Sequence, residues 1–171
     1  MPNILASMLS APAGTAHGPD GTVPGTIALQ IVAVGIGGGL GAIARFVVGL
    51  VARGLPLPPY AATLTVNLIG CYGIGLAFAA LSHAQAPGWL RAMLITGVLG
   101  AFTTFSTFSL ESLHLVERRA WGHLSLNVSA SVIIGFLAVW LGLLTANRIS
   151  FAPLPPAASA ATASQASERD T

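Results

Sequence analysis

The chain has 171 residues, of which 54% are hydrophobic and only 7% are charged. A typical soluble domain has about 25% charged residues, so this chain cannot cover a water-exposed surface, and lipid is its predicted solvent. The basic residues are arginines that stand singly apart from Arg118-Arg119. This pattern offers no phosphate-binding surface and excludes nucleic acid as a partner.

The two ends of the chain differ from its middle in composition. Residues 1–26 are rich in Ala, Pro, Gly and Thr and contain no Lys or Arg, which predicts a disordered leader. Residues 149–171 contain three prolines and an Ala/Ser tract, which predicts a disordered tail. Residues 27–148 are therefore predicted to form the functional domain.

Four apolar segments of this domain are each long enough to cross a hydrocarbon core about 30 Å thick, which takes about 20 helical residues. They run from Ile27 to Ala52, from Tyr60 to Ser82, from about Trp89 to Leu115, and from Trp121 to Asn147. Prolines between residues 53 and 59 separate the first two helices. The predicted fold class is an all-α membrane protein with four transmembrane helices per subunit.

Small residues recur at four-residue spacing on the first and fourth segments: Ala33, Gly37 and Gly41, then Ser131 and Gly135. Such rows let helix backbones approach closely in lipid. They fit either packing within one subunit or an interface between subunits.

The arginines near the helix ends are almost evenly divided between the two sides of the membrane. An even number of helices places Arg53, Arg118 and Arg119 on one side and Arg91 and Arg148 on the other. Because the positive-inside rule then gives almost no preference, the chain is predicted to insert in both orientations.

The second segment carries its polar groups on one face. Thr63 and Asn67 lie one turn apart, and Gly70 and Ile74 continue that face. The Asn67 amide fits either a hydrogen bond between helices or a site that offers N–H donors to an anion.

The third segment is the most polar in its second half. Five hydroxyl residues follow two glycines: Thr103, Thr104, Ser106, Thr107 and Ser109. Because Thr and Ser divert backbone hydrogen bonds and Gly100 weakens the helix before them, a break in mid-membrane is predicted. The freed carbonyls would need protein, water or a cation. Phe105 and Phe108 share a face, which on its own is typical of core packing.

Two charged side chains and one polar row remain inside the predicted helices. Arg45 and Glu111 should face protein or water, because a charge in the bilayer centre is costly. Glu111 also fits an interfacial position near Glu117. Asn127 and Ser131 share a face of the fourth segment that leads to Gly135. The sequence has no nucleophile–base pair and no His/Cys metal cluster, so it predicts a permeation path rather than an enzyme.

Three motifs resemble the helix signatures of the CrcB/Fluc fluoride channels, in the right order and spacing. The first, residues 38–45, ends at Arg45 and resembles the first-helix signature. The second, residues 63–70, contains Asn67, and the third, residues 97–109, is followed by Glu111. The resemblance extends over about residues 31–148.

The resemblance implies an antiparallel, dual-topology homodimer with a broken third helix and two fluoride pores. Asn67 would stand at the pore approach, and the rings of Phe105 and Phe108 would line the pore. The family pattern also implies a polar pathway and a structural sodium ion held at the dimer centre by backbone carbonyls. The pathway would include Thr63, Ser106, Glu111 and Ser131, and the sodium ligands would be Gly100 and Thr103. The sequence departs from the family pattern at Asn127, where an aromatic side chain or histidine is common, and at Gly135, where serine is common.

The implied function is passive export of fluoride across the cell membrane, which would lower cytoplasmic fluoride and protect against its toxicity. Short N–H and O–H donors can replace the water around a small anion, and ring edges are positive without carrying a fixed charge. The alternative is a small dual-topology, proton-coupled drug exporter, which would want a carboxylate in the first helix, where this chain has Arg45. A non-transporting assembly factor would not explain the polar rows.

Overall fold

The computed structural model describes residues 23–149, with side chains from residue 26 onward. The predicted leader and tail therefore lie almost entirely outside the described residues. Helix α1 spans Val23–Arg53 and begins four residues before the predicted start at Ile27. Helix α2 spans Ala61–His83.

The third and fourth spans are built from several helical pieces. The third contains α3 (Gly88–Arg91), a π-helical segment (Ala92–Leu99), α4 (Gly100–Phe102) and α5 (Phe105–Glu117). The fourth contains α6 (Trp121–Ser129), a π-helical segment (Ala130–Ile134) and α7 (Gly135–Arg148).

Within residues 23–149, four spans are long and apolar enough to cross a membrane, which confirms the predicted helix count. They are the first span Thr26–Arg53, the second span Ala61–His83, the third span Gly88–Glu117 and the fourth span Trp121–Arg148. The described residues are helical apart from the short connections and the break in the third span, so the all-α prediction also holds.

The spans pack in pairs through glycine. A methyl group added to Gly37 or Gly41 would overlap backbone atoms of the third span, at Met93 and Val98 respectively. A methyl group on Gly75 or Gly142 would likewise overlap the backbone where the second and fourth spans meet. Such close approach gives dispersion contacts that lipid cannot match. For the first-segment row, the structure favours packing within the subunit over a subunit interface.

The connection between the second and third spans is held by one arginine. Arg91 donates from Nε to the carbonyl of Ala86 at 3.1 Å and from Nη2 to that of Leu81 at 3.0 Å. The Leu81 carbonyl lies in the last turn of α2, where a cation is favourable against the negative end of the helix dipole.

The outer surface of the four spans is apolar. Side chains such as Ile43, Phe136 and Leu137 are more than half exposed in the single subunit. The small buried core consists instead of residues such as Ala33, Val66, Ala79 and Ala146. An exposed apolar exterior around a core of small side chains is the arrangement expected of a protein whose solvent is lipid.

Candidate functional site

The polar site begins where the backbone of the third span leaves the helical conformation. Thr103 has φ −81° and ψ 157°, and Thr104 has φ −150° and ψ 115°, so both residues are extended between α4 and α5. Gly100 stays helical at φ −64° and ψ −38°. The extended residues thus follow the glycine by three and four positions, at threonines whose side chains make local hydrogen bonds.

Asn67 of the second span forms two hydrogen bonds with the backbone of Thr104. The Thr104 N–H donates to Asn67 Oδ1 at 2.8 Å, and Asn67 Nδ2 donates to the Thr104 carbonyl at 3.1 Å. Because the backbone N–H must meet an oxygen, this pair also fixes which way the amide points. Of the two predicted uses of Asn67, the hydrogen bond between helices is therefore present, and the second N–H of the amide is not needed for it.

Thr104 also starts α5. Its Oγ1 accepts from the Thr107 N–H at 3.3 Å, as an N-cap side chain does, and lies 3.0 Å from Thr107 Oγ1. Ser106 Oγ lies 3.3 Å from the same oxygen. The hydroxyl groups after the break are thus gathered around the buried Thr104 side chain.

These bonds remove the usual donors from two backbone carbonyls. In a continuous helix the N–H of Thr104 would donate to the Gly100 carbonyl, and that of Thr107 to the Thr103 carbonyl. Here the first N–H donates to Asn67 and the second to Thr104 Oγ1. The carbonyls of the two residues predicted as sodium ligands are therefore released from their helical donors.

Glu111 lies two turns further along α5 and faces the second span. Thr63 Oγ1 donates to Glu111 Oε1 at 2.8 Å, and Thr63 itself is buried. Glu111 Oε2 is buried and has no hydrogen-bond partner within residues 23–149. The structure thus brings together Thr63 and Glu111, and the second carboxylate oxygen has no partner in this part of the chain.

The two predicted pore rings lie side by side. The ring centroids of Phe105 and Phe108 are 5.6 Å apart, with 39° between the ring planes. Phe105 is 78% exposed, so in the single subunit its ring is not a core residue. An exposed aromatic next to a backbone break is consistent with a surface that meets an ion path or a second subunit.

The fourth span contributes a buried amide. Asn127 is 1% exposed, and its Nδ2 donates to Ser112 Oγ at 3.2 Å. One turn later, the Ser131 hydroxyl is buried and has no hydrogen-bond partner in the described part of the chain. Gly135 is buried against Cys71 of the second span, so it adds no polar group.

A cavity of about 620 Å³ lies beside this network, between the first span, the 53–60 connection, the second span and α5. Its polar and charged lining comes from Arg45, Arg53, Thr63, Thr104, Thr107 and Glu111. Arg45, a charge within a span, is thus one of the residues that line this cavity. Two arginines against one glutamate give the walls a net positive charge, which raises the local concentration of anions.

Sequence reasoning missed two residues of this network. In the sequence, Thr104 is one of five hydroxyl residues and has no separate predicted role. A threonine just before the start of a helix is a frequent N-cap, and that position was the signal that could have identified it. Ser112 lies one turn after Phe108 on the same face of α5, but its partner Asn127 comes from another span. No local pattern in the sequence marks that pairing.

The architecture and site define an all-helical, multi-pass membrane protein with a polar, net-positive cavity next to a break in its third span. The profile of the CrcB-like protein family, Camphor Resistance (CrcB), matches residues 32–143, which is more than half of the chain. The chain therefore belongs to the CrcB-like family.

Proteins similar to 71–73% of this chain are named fluoride-specific ion channel FluC. The one from Bordetella petrii is 44% identical over 125 residues, which are 72% of this chain and 95% of that protein. The one from Hydrogenovibrio crunogenus is 42% identical over 129 residues, or 73% of this chain and 96% of that protein. The one from Magnetococcus marinus is 39% identical over 127 residues, or 71% of this chain and all of that protein.

Proposed function

We propose that this protein is a fluoride channel that lets fluoride leave the cell passively across the cell membrane, which lowers cytoplasmic fluoride and its toxicity. The observation that carries the proposal is the site itself. The hydroxyl groups of Thr63, Thr104 and Thr107 line a cavity whose walls have a net positive charge. The exposed ring of Phe105 lies beside Thr104, next to the break. The names of the similar proteins supply the identity of the ion.

The chemistry of the path follows from the size of the ion. Fluoride is strongly hydrated, so a pore has to replace its water with short N–H and O–H donors. The second N–H of Asn67 and the hydroxyl groups around Thr104, including Ser106, are such donors. The Phe105 and Phe108 rings offer positive edges without a fixed charge that would trap the ion. Serial weak sites of this kind allow conduction.

The rest of the path follows the polar groups beyond the rings. In this proposal Thr63, Glu111 and Ser131 form that part of the path. One Glu111 carboxylate oxygen and the Ser131 hydroxyl have no hydrogen-bond partner in the described chain. An ionised carboxylate repels an anion, so in this proposal Glu111 acts by holding Thr63 and water, and the positive charge of Arg45 in the same cavity offsets the charge of Glu111.

The working unit in this proposal is a homodimer of two antiparallel subunits inserted in opposite orientations. The exposed Phe105 ring and the exposed faces of the first span support it, because they need lipid or a second copy. The near-even arginine count supports insertion in both orientations. A cysteine introduced as Leu55→Cys should then react with a membrane-impermeant reagent from both sides. Labelling of every molecule from one side alone would contradict dual topology.

A structural sodium ion at the dimer centre is part of the same proposal. The carbonyls of Gly100 and Thr103 fit a hard monovalent cation, since their helical donors are directed elsewhere. Two subunits would supply four neutral oxygens, and the ion would add a fixed positive charge between the two paths without being transported. The other possibility is water alone in the break. Exchange of all sodium for a large organic cation should lower flux and dimer stability, and unchanged values would favour water.

The function is tested by ion efflux from vesicles that contain the purified protein. Fluoride should leave down its own gradient, with the proton gradient collapsed by an ionophore, and chloride should be retained. Transport that depends on a proton gradient would instead support the drug exporter, and equal fluoride and chloride efflux would remove the claim of fluoride specificity.

A further inference from the structure

Helix α5, which carries both phenylalanine rings, is not positioned by apolar burial within the subunit. None of the residues Phe105–Glu117, all of them described, is buried. The side-chain hydrogen bonds to other spans therefore set where the helix lies. Three of them join it to the second span at two attachment points: two bonds at Thr104, just before the helix, and one at Glu111 within it.

These two attachments leave one motion open. Their partners Asn67 and Thr63 are four positions apart in α2 and share one face of that helix, so both attachments lie along one line on the second span. Two attachment points along one line fix the position of a helix along that line. They resist rotation of the helix about the line only weakly, and such a rotation would swing the rings of Phe105 and Phe108.

A third attachment lies off this line and comes from a different span. Ser112 follows Glu111 directly, so it lies about 100° further around the helix. Its Oγ accepts a hydrogen bond from Asn127 Nδ2 at 3.2 Å, and the Asn127 side chain is 1% exposed. Ser112 is also four positions after Phe108 and seven after Phe105, so it shares the face of the two rings.

We propose that Ser112 is a positioning residue, which acts through its hydrogen bond with Asn127 to fix the rotation of α5 and thereby the direction of the two rings. The effect on ion flux rests on the proposed function, whereas the effect on ring position does not. A fully buried amide is a suitable partner for this role, because its position is set by the fourth span and not by solvent.

Four variants of the full-length protein test the hydrogen bond. Ser112→Ala and Asn127→Leu each remove one partner, and the double variant removes both without leaving an unpaired polar group. Ser112→Thr keeps the hydroxyl. Ser109→Ala is the matched control. Ser109 lies on the same helix, but its hydroxyl donates to the carbonyl of Phe105 in that helix, at 2.9 Å, and not to another span.

The first readout is fluoride efflux from vesicles. Each single variant should lower efflux about threefold to tenfold, the range expected for loss of one hydrogen bond between helices in lipid. The double variant should lose no more efflux than the single variant with the lower efflux, because both changes remove the same bond. Ser112→Thr and Ser109→Ala should stay within about twofold of the original protein. An additive loss in the double variant, or failure of Ser112→Thr to restore efflux, would overturn the proposal.

The second readout follows ring position directly and does not depend on conduction. 4-Fluorophenylalanine in place of Phe108 gives a single fluorine resonance in detergent-solubilised protein, whose dimers are checked by size exclusion. Ser112→Ala and the double variant should shift or broaden this resonance, and Ser112→Thr and Ser109→Ala should not. An unchanged resonance in the double variant would overturn the positioning role. If the original protein passed no fluoride, the proposed function would fail while this readout still decided the role of Ser112.

Discussion

The two halves of the third span are held in the protein by different forces. The first half, residues 88–102, packs against the first span, where Gly37 and Gly41 of α1 and Gly97 of the third span let the backbones meet. The second half, α5, has no buried residue and is attached through the hydrogen bonds of Asn67, Thr63 and Asn127.

Under the proposed function, this difference lets one span serve both structure and conduction. Close apolar packing excludes water and gives a rigid support, as it does in the first half. Polar attachments leave donors, carbonyls and ring edges available, as an ion path requires. The break at Thr103 and Thr104 separates the two regimes.

The largest effect is expected where the backbones touch. In Gly41→Ala the new methyl group would overlap the Val98 carbonyl, and neither backbone can move aside easily. Overpacking of this kind costs about 3 kcal/mol or more, so little folded protein should be recovered on size exclusion. Gly38→Ala is the control, because a methyl group there meets nothing within 4 Å. Equal recovery of both variants would show that the first half is not held by backbone contact.

Asn67→Ala tests the polar half at its strongest point. The change removes both hydrogen bonds to Thr104, each worth roughly 0.6 to 1.7 kcal/mol in a membrane, so fluoride efflux should fall about tenfold or more. The subunit should stay folded because the glycine contacts between its spans are untouched, so dimers should persist on size exclusion. Thr65→Ala, an exposed polar residue on the same helix, should conduct normally. Normal efflux in Asn67→Ala would remove this residue from the path and from the support of the break.

Phe105→Ile tests the ring edges. Ring interactions contribute about 0.5 to 1.5 kcal/mol, so fluoride efflux should fall roughly twofold to tenfold without loss of dimers. Phe136→Ile is the matched control, since Phe136 is 76% exposed against 78% for Phe105 but belongs to α7 of the fourth span. If both variants lost efflux equally, the effect would come from general apolar surface and not from the path.

The smallest effect is expected at Thr63. Thr63→Val keeps the shape of the side chain but removes the donor to Glu111, which should lower the free energy of unfolding by about 0.6 kcal/mol. Thr145→Val, which loses only a hydrogen bond to the carbonyl of Leu141 in its own helix, is the control. Thermal unfolding in detergent measures the stability of both variants. A larger loss of stability in Thr145→Val would show that the Thr63–Glu111 bond between spans contributes less than a bond within one helix.

The features that could be predicted from sequence are those that depend on residues close together in the chain. Runs of about 20 apolar residues are unambiguous, so the four spans were predicted, and the threonines after Gly100 indicated a weak point in the third span. The polar face of Thr63 and Asn67 follows from helical spacing alone. These residues indeed contact the third span.

The remaining features depend on partners that are distant in the chain. Asn67 and Thr104 are 37 residues apart. No periodicity indicates that an amide on one span accepts from a backbone N–H on another span that has no helical acceptor. The exact place of the break depends on that meeting, which is why the extended residues follow Gly100 rather than begin at it. The Ser112–Asn127 pair was missed for the same reason.

The measurement that tests the central claim most directly is the reversal potential of the purified protein in a planar bilayer. The two sides contain different fluoride concentrations, equal chloride concentrations and the same pH. Passive, fluoride-specific conduction predicts that the current reverses at the fluoride equilibrium potential. Reversal at zero voltage, where chloride and protons are at equilibrium, would contradict the account.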